Sequence, residues 1–102
     1  MISSNPYSAI DPAIDDWAKA HSRKLFTSFG ERQARFCHFS SDRGECFQIS
    51  IEPPQEATVT VNAWTIETLD DREPHGSWTV LIDELHDALD LALARVREWM
   101  DQ

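Results

Sequence analysis

A chain of 102 residues, 41% hydrophobic and 26% charged, is one domain's worth of foldable sequence and needs neither metal nor disulfide to hold a core. It carries nine Lys/Arg against eighteen Asp/Glu, a formal net charge of −9. A field of that sign repels phosphate backbones and anionic lipids, which argues against direct nucleic-acid and membrane-surface binding.

The longest apolar run, Leu91 to Ala94, is far short of the ~18 residues of a membrane span. The opening Met1 to Tyr7 lacks the basic and apolar regions of a secretory signal, so a cytoplasmic location is expected. The charge is unevenly placed. Residues 1–44 hold six Lys/Arg and five Asp/Glu, whereas residues 45–102 hold three Arg and thirteen Asp/Glu. An acidic second half of this kind favours a basic protein partner, although solubility alone also makes small domains acidic.

In chain order, residues 1–9 read as a tail before a single domain. Asp11-Pro12 reads as an Asx N-cap with proline at the first helical position. Ile14, Trp17, Ala18, His21, Leu25 and Phe29 recur on one stripe about 120° wide, and Gly30 can close the helix as a C′ residue. The spacing predicts a helix over 12–29, with His21 as a core histidine holding one hydrogen bond. Residues 35–39 and 45–51 read as a hairpin about Asp42-Arg43-Gly44. Thr58 to Ile66 alternates as a third strand. Trp78 to Ile82 is either a fourth strand or an early start of the last helix. That helix is expected over 83–100, capped by Asp83, with Leu85, Ala88, Leu89, Ala92, Val96, Trp99 and Met100 on one face. The expected fold is α+β: a helix, three or four antiparallel strands and a helix, both helices covering one face of the sheet.

Strand parity follows from the turn. With Gly44 in the bulge of a three-residue loop, Ser41 pairs with Glu45. Cys37, Phe39, Phe47, Ile49 and Ile51 then face the helices, while Phe36, His38, Cys46, Gln48 and Ser50 face outward. The two cysteines fall on opposite faces and cannot bond; a four-residue loop reverses one strand and brings the sulfurs together. Free thiols are the expectation for a leaderless chain.

The spacing of Cys37, His38 and Cys46 fits no zinc pattern. A Cys46–His38 nucleophile and base lacks an orienting carboxylate or oxyanion hole. His86 pairs with Asp90 one turn on as a solvated pair. There is no phosphate-cradling glycine loop, Gly-x-Ser-x-Gly or His-Glu-x-x-His. The element order resembles the double-stranded-RNA-binding module, but Asp83-Glu84-Leu85-His86-Asp87 stands where that module needs basic residues. No catalytic, cofactor-binding or metal-binding residue is assigned, and the chain is expected not to be an enzyme.

Two features read as interaction surface. Asp87, Asp90, Glu98 and Asp101 occupy an arc of roughly 80° opposite the buried stripe of the last helix. Glu67, Asp70, Asp71 and Glu73 add four carboxylates in or beside one loop, countered by Arg72. Both also fit an ordinary solvated polar face. Trp64 stands among Thr58, Thr60, Asn62 and Ile66 on the outward face of the third strand, as the centre of a patch, or as core if another element covers the sheet.

In size, acidity, α+β form and lack of a catalytic motif, the chain resembles the small acidic immunity and inhibitor proteins that bacteria use against toxic nucleases. The resemblance is one of general character and carries over no residue assignments. It implies a non-enzymatic protein that occludes a basic partner such as a toxin domain, with Glu67, Asp70, Asp71, Glu73, Asp87, Asp90 and Trp64 as candidate partner-binding residues. A chaperone-like adaptor that forms a homodimer through its sheet is the second reading, and a small Cys/His enzyme the third.

Overall fold

The computed structural model describes residues 6–22, 24–29, 32–65 and 76–101, with Phe29 and Arg32 as backbone only. Helix α1 (Asp11–Ala20) is followed by strands β1 (Phe26–Phe29), β2 (Arg32–Ser40), β3 (Cys46–Ile51), β4 (Thr58–Thr65) and β5 (Gly76–Leu81). A 3-10 turn (Ile82–Glu84) then leads into helix α2 (Leu85–Met100). The strands form one antiparallel sheet in the order β1-β2-β3-β4-β5. The architecture is α+β as expected, with five strands where three or four were expected.

The fifth strand comes out of the expected first helix. That helix stops at Ala20, where the N–H of His21 closes onto Trp17 O and Ser22 turns back with φ +53°. Leu25 and Phe29 fit the helical stripe by spacing alone. Phe26 instead pairs with Phe36 and Phe29 with Arg32, across an irregular register between Phe26 and Ser28. Aromatic and β-branched side chains suit a half-buried pleat, and pairing with β2 overrides the local periodicity. Gly30, the expected C′ residue, lies outside the described residues.

Asp11 is also not a cap. It lies in the first turn of α1, the N-cap position is Ile10, and no side chain caps the helix. Ile10 N–H and Asp11 N–H instead donate to Tyr7 O at 2.9 and 2.8 Å. Asp11 accepts from Arg35 Nε at 2.7 Å and Nη2 at 3.1 Å. Arg35 is 5% exposed; its Nη1 donates to Thr27 O and Ala34 O, and its guanidinium lies 4.5 Å from the Tyr7 ring centroid. A paired, hydrogen-bonded charge of this kind can be held inside a fold. Here it ties α1 to β2 and to the β1 edge.

The β2–β3 turn is as the sequence implies. Ser41 N–H donates to Glu45 O at 2.8 Å, Gly44 N–H to Ser41 O at 3.0 Å, and Gly44 takes φ +84°. Parity follows, with Cys37 opposite Ile49 and His38 opposite Gln48. Cys37, Phe39, Phe47, Ile49 and Ile51 enter one core with Val59, Val61 and Ala63 of β4. Ile10, Ile14 and Trp17 of the α1 segment and Leu85, Leu89 and Val96 of α2 fill the same core, so both helices cover one face.

Segment 78–82 resolves as strand through Leu81, paired with β4. Asp83 then sits in the 3-10 turn rather than capping α2, which has Glu84 at its N-cap position and no side-chain cap bond. At the other end Arg43 Nη2 donates to Trp99 O and Met100 O at 3.4 and 3.1 Å. A cation there complements the helix dipole and fastens α2 to the hairpin turn.

Candidate functional site

The buried stripe of α2 (Leu85, Ala88, Leu89, Ala92, Leu93 and Val96) turns Asp87, Asp90, Glu98 and Asp101 to solvent. They are not equivalent. Asp90 Oδ1 accepts from Trp17 Nε1 at 3.0 Å and lies 3.7 Å from His21 Nε2, so it joins α2 to α1. Glu98 receives Arg95 Nη1 at 3.4 Å. Asp87 has no ion-pair partner among the described residues.

Two histidine expectations change with this geometry. His86 does not pair with Asp90; its Nε2 lies 3.0 Å from Ala13 O of α1. His21 is not core. It stands just past α1, partly exposed, with its ring 4.7 Å from that of Trp17. Both differences come from the side-by-side placement of the helices, which neither helix encodes alone. Glu67, Asp70, Asp71, Arg72, Glu73 and His75 lie outside the described residues, as does Ile66.

Among the described residues, no helix covers the opposite face of the sheet. Phe26, Phe36 and His38 cluster there with ring centroids 5.1 to 5.3 Å apart, and Lys24 Nζ lies 4.9 Å from the Phe26 centroid. Phe26 was missed from sequence because it was read as helical. Trp64 belongs to this face but is only partly exposed, and its indole N–H donates to Ser50 Oγ at 2.9 Å. His38 Nε2 meets Gln48 Oε1 at 2.9 Å, and Thr60 and Thr79 hydroxyls meet at 2.8 Å. Asn62 Nδ2 donates to Glu52 Oε2 at 2.8 Å. Cross-strand pairs satisfy these polar groups in place, and among the described residues the face is aromatic and polar.

Cys37 is buried and Cys46 exposed, on opposite faces and with no disulfide between them. Cys46 Sγ is near Ser40 Oγ and Gly44 O, whereas His38 turns to Gln48. Denaturant-free thiol titration should therefore modify one cysteine quickly, Cys46, and the second only on unfolding. Two equally fast thiols, or none after denaturation without reductant, would contradict this placement. Among the described residues there is no group of three or more His, Cys, Asp or Glu able to hold a metal ion, and no helix is long and apolar enough to cross a membrane.

No protein-family model matches the chain, and no curated protein or solved structure matches it.

Proposed function

We propose that the chain is a non-enzymatic binding protein that occludes a basic protein partner, in the manner of an immunity or inhibitor protein facing a toxin nuclease. The observation that carries this reading is the concentration of charge. Thirteen carboxylates against three arginines fall in residues 45–102, and Asp87, Asp90, Glu98 and Asp101 project together from α2. An acidic face of this kind mimics the phosphate track that a nuclease attracts, and it steers encounter with a cationic surface.

The chain, immobilised and exposed to a lysate of the organism that encodes it, should retain a basic protein identifiable by mass spectrometry. Association with that protein should slow as the Debye length contracts from ~30 Å at 0.01 M salt to ~8 Å at 0.15 M. Asp70→Lys, Asp71→Lys and Asp87→Lys should each lower the rate, and the triple variant most. Asp87→Lys should leave the unfolding midpoint nearly unchanged, because an exposed charge contributes little to stability. Asp90 is unsuitable for this test, since its reversal also breaks the link to Trp17. A rate indifferent to salt and to the triple reversal would rule out steering. Docking on the aromatic sheet face around Trp64 would then become the better reading.

A further inference from the structure

We propose that the cleft opening between β2 and β3 beyond Phe36 and Ser50 receives an arginine side chain of a partner protein, with Glu52 as its counter-ion. This rests on the reading of the chain as a binder of a basic protein, and it adds a point of contact separate from the carboxylates of α2.

The topology makes the cleft. Paired positions of β2 and β3 run from Ser40 opposite Cys46 to Phe36 opposite Ser50. Beyond that rung each strand follows its other neighbour, β2 continuing against β1 to Arg32 and β3 against β4 to Ile51. Pro53 then has no N–H with which to resume a ladder. The space left between the strands is about 390 Å³. Phe36, Ile51 and Pro53 give it apolar walls, and Tyr7, Arg35 and Glu52 bring polar groups to it.

The charge in the cleft does not cancel. Arg35 is neutralised by Asp11, whose two carboxylate oxygens receive its Nε and Nη2 at 2.7 and 3.1 Å. Glu52 has no ion-pair partner among the described residues. Its carboxylate is nonetheless held in place. Glu52 N–H donates to Thr60 O at 2.9 Å, and Asn62, only 5% exposed, donates its Nδ2 to Glu52 Oε2 at 2.8 Å. Swinging the carboxylate away would strip a buried amide of its acceptor. Burial raises the Tyr7 phenol, and Glu52 adds to that rise against the pull of Arg35, so the carboxylate acts on the cleft's own lining.

The occupant follows from these features. A cation balances Glu52, and apolar walls suit one carried on a methylene stem. A guanidinium is planar, weakly hydrated and forks onto a carboxylate, whereas an ammonium is compact and strongly hydrated. A carboxylate accepts at about four positions, so Asn62 leaves room for the fork.

Titrating the ¹⁵N-labelled chain with Nα-acetyl-arginine methylamide should give saturable amide shifts at Ser50, Ile51 and Glu52 and none at Leu91. Glu52→Gln keeps an acceptor for Asn62, and it should raise the dissociation constant about tenfold or more. The corresponding lysine amide should bind more weakly, and the neutral citrulline amide should not bind measurably. Absence of saturable shifts overturns the proposal, as does binding that survives Glu52→Gln or the change to citrulline. Equal binding of the lysine amide overturns the choice of a guanidinium. Tighter binding of free arginine than of the blocked form overturns the choice of a protein. A retained basic partner whose affinity ignores Glu52→Gln overturns the cleft and leaves the steering reading intact. Arginine-amide shifts together with a partner association rate indifferent to salt overturn steering and leave the cleft.

Discussion

Arg35→Met should lower the stability of the fold by about 3 kcal/mol, the lower end of the cost of breaking a buried ion pair. The side chain is 5% exposed and its guanidinium serves Asp11, Thr27 and Ala34 together. Methionine fills much of the volume but leaves the Asp11 carboxylate without its cation. That carboxylate is 32% exposed, and water recovers part of the loss. Urea melts of Arg35→Met, Asp11→Asn and the double variant should give a coupling well above the few tenths expected of separate sites. Additive losses would mean that the pair does not hold α1 to the sheet.

The chain's one tyrosine gives a second readout. Burial raises the Tyr7 phenol above the ordinary tyrosine value, and Arg35 pulls against that rise. A group with a raised folded pKa contributes stability that is complete below its unfolded value and is lost as pH rises through the folded one. Phenolate absorbance of the native protein should therefore appear at higher pH than in denaturant, and at higher pH still in Arg35→Met. Coincident native and denatured titrations would show the ring to be solvated.

Leu89→Ala should cost ~2–5 kcal/mol by leaving a cavity among close-packed neighbours. Leu89 is fully buried, on the α2 face that meets the sheet. A loss under half a kcal/mol in denaturant melts would mean that the core collapses into the space or that this face was assigned wrongly.

α2 and the hairpin were legible in the sequence because their signals are local. Asp42-Arg43-Gly44 sets the parity of two strands, and a sixteen-residue helix shows its apolar face several times over. β1 was not legible, because Leu25 and Phe29 continue a helical spacing that ends physically at Ser22. Only pairing with β2 reveals it. Arg35 left a signal that could have been used: its parity matches Cys37 and Phe39, and an inward arginine in a strand calls for a carboxylate partner. The roles of Asp90, His86 and His21 depend on how two distant helices lie together, which no local pattern carries. Of the candidate partner-binding residues, Asp87, Asp90 and Trp64 have described positions, and the two aspartates share a helix while Trp64 lies on the opposite face of the sheet.

Strand order in the sheet is the same as strand order in the chain, so every ladder closes a short segment and the sheet can zip hairpin by hairpin. Short closures of this kind cost little chain entropy and favour rapid folding. The exception is the seam between the helices. Trp17 meets Asp90, and Ala13 meets His86, each across 73 residues of sequence. During synthesis α1 emerges first, yet its apolar face has no helical neighbour until α2 has left the ribosome. The order of synthesis thus leaves Ile14 and Trp17 without their full cover until α2 is made.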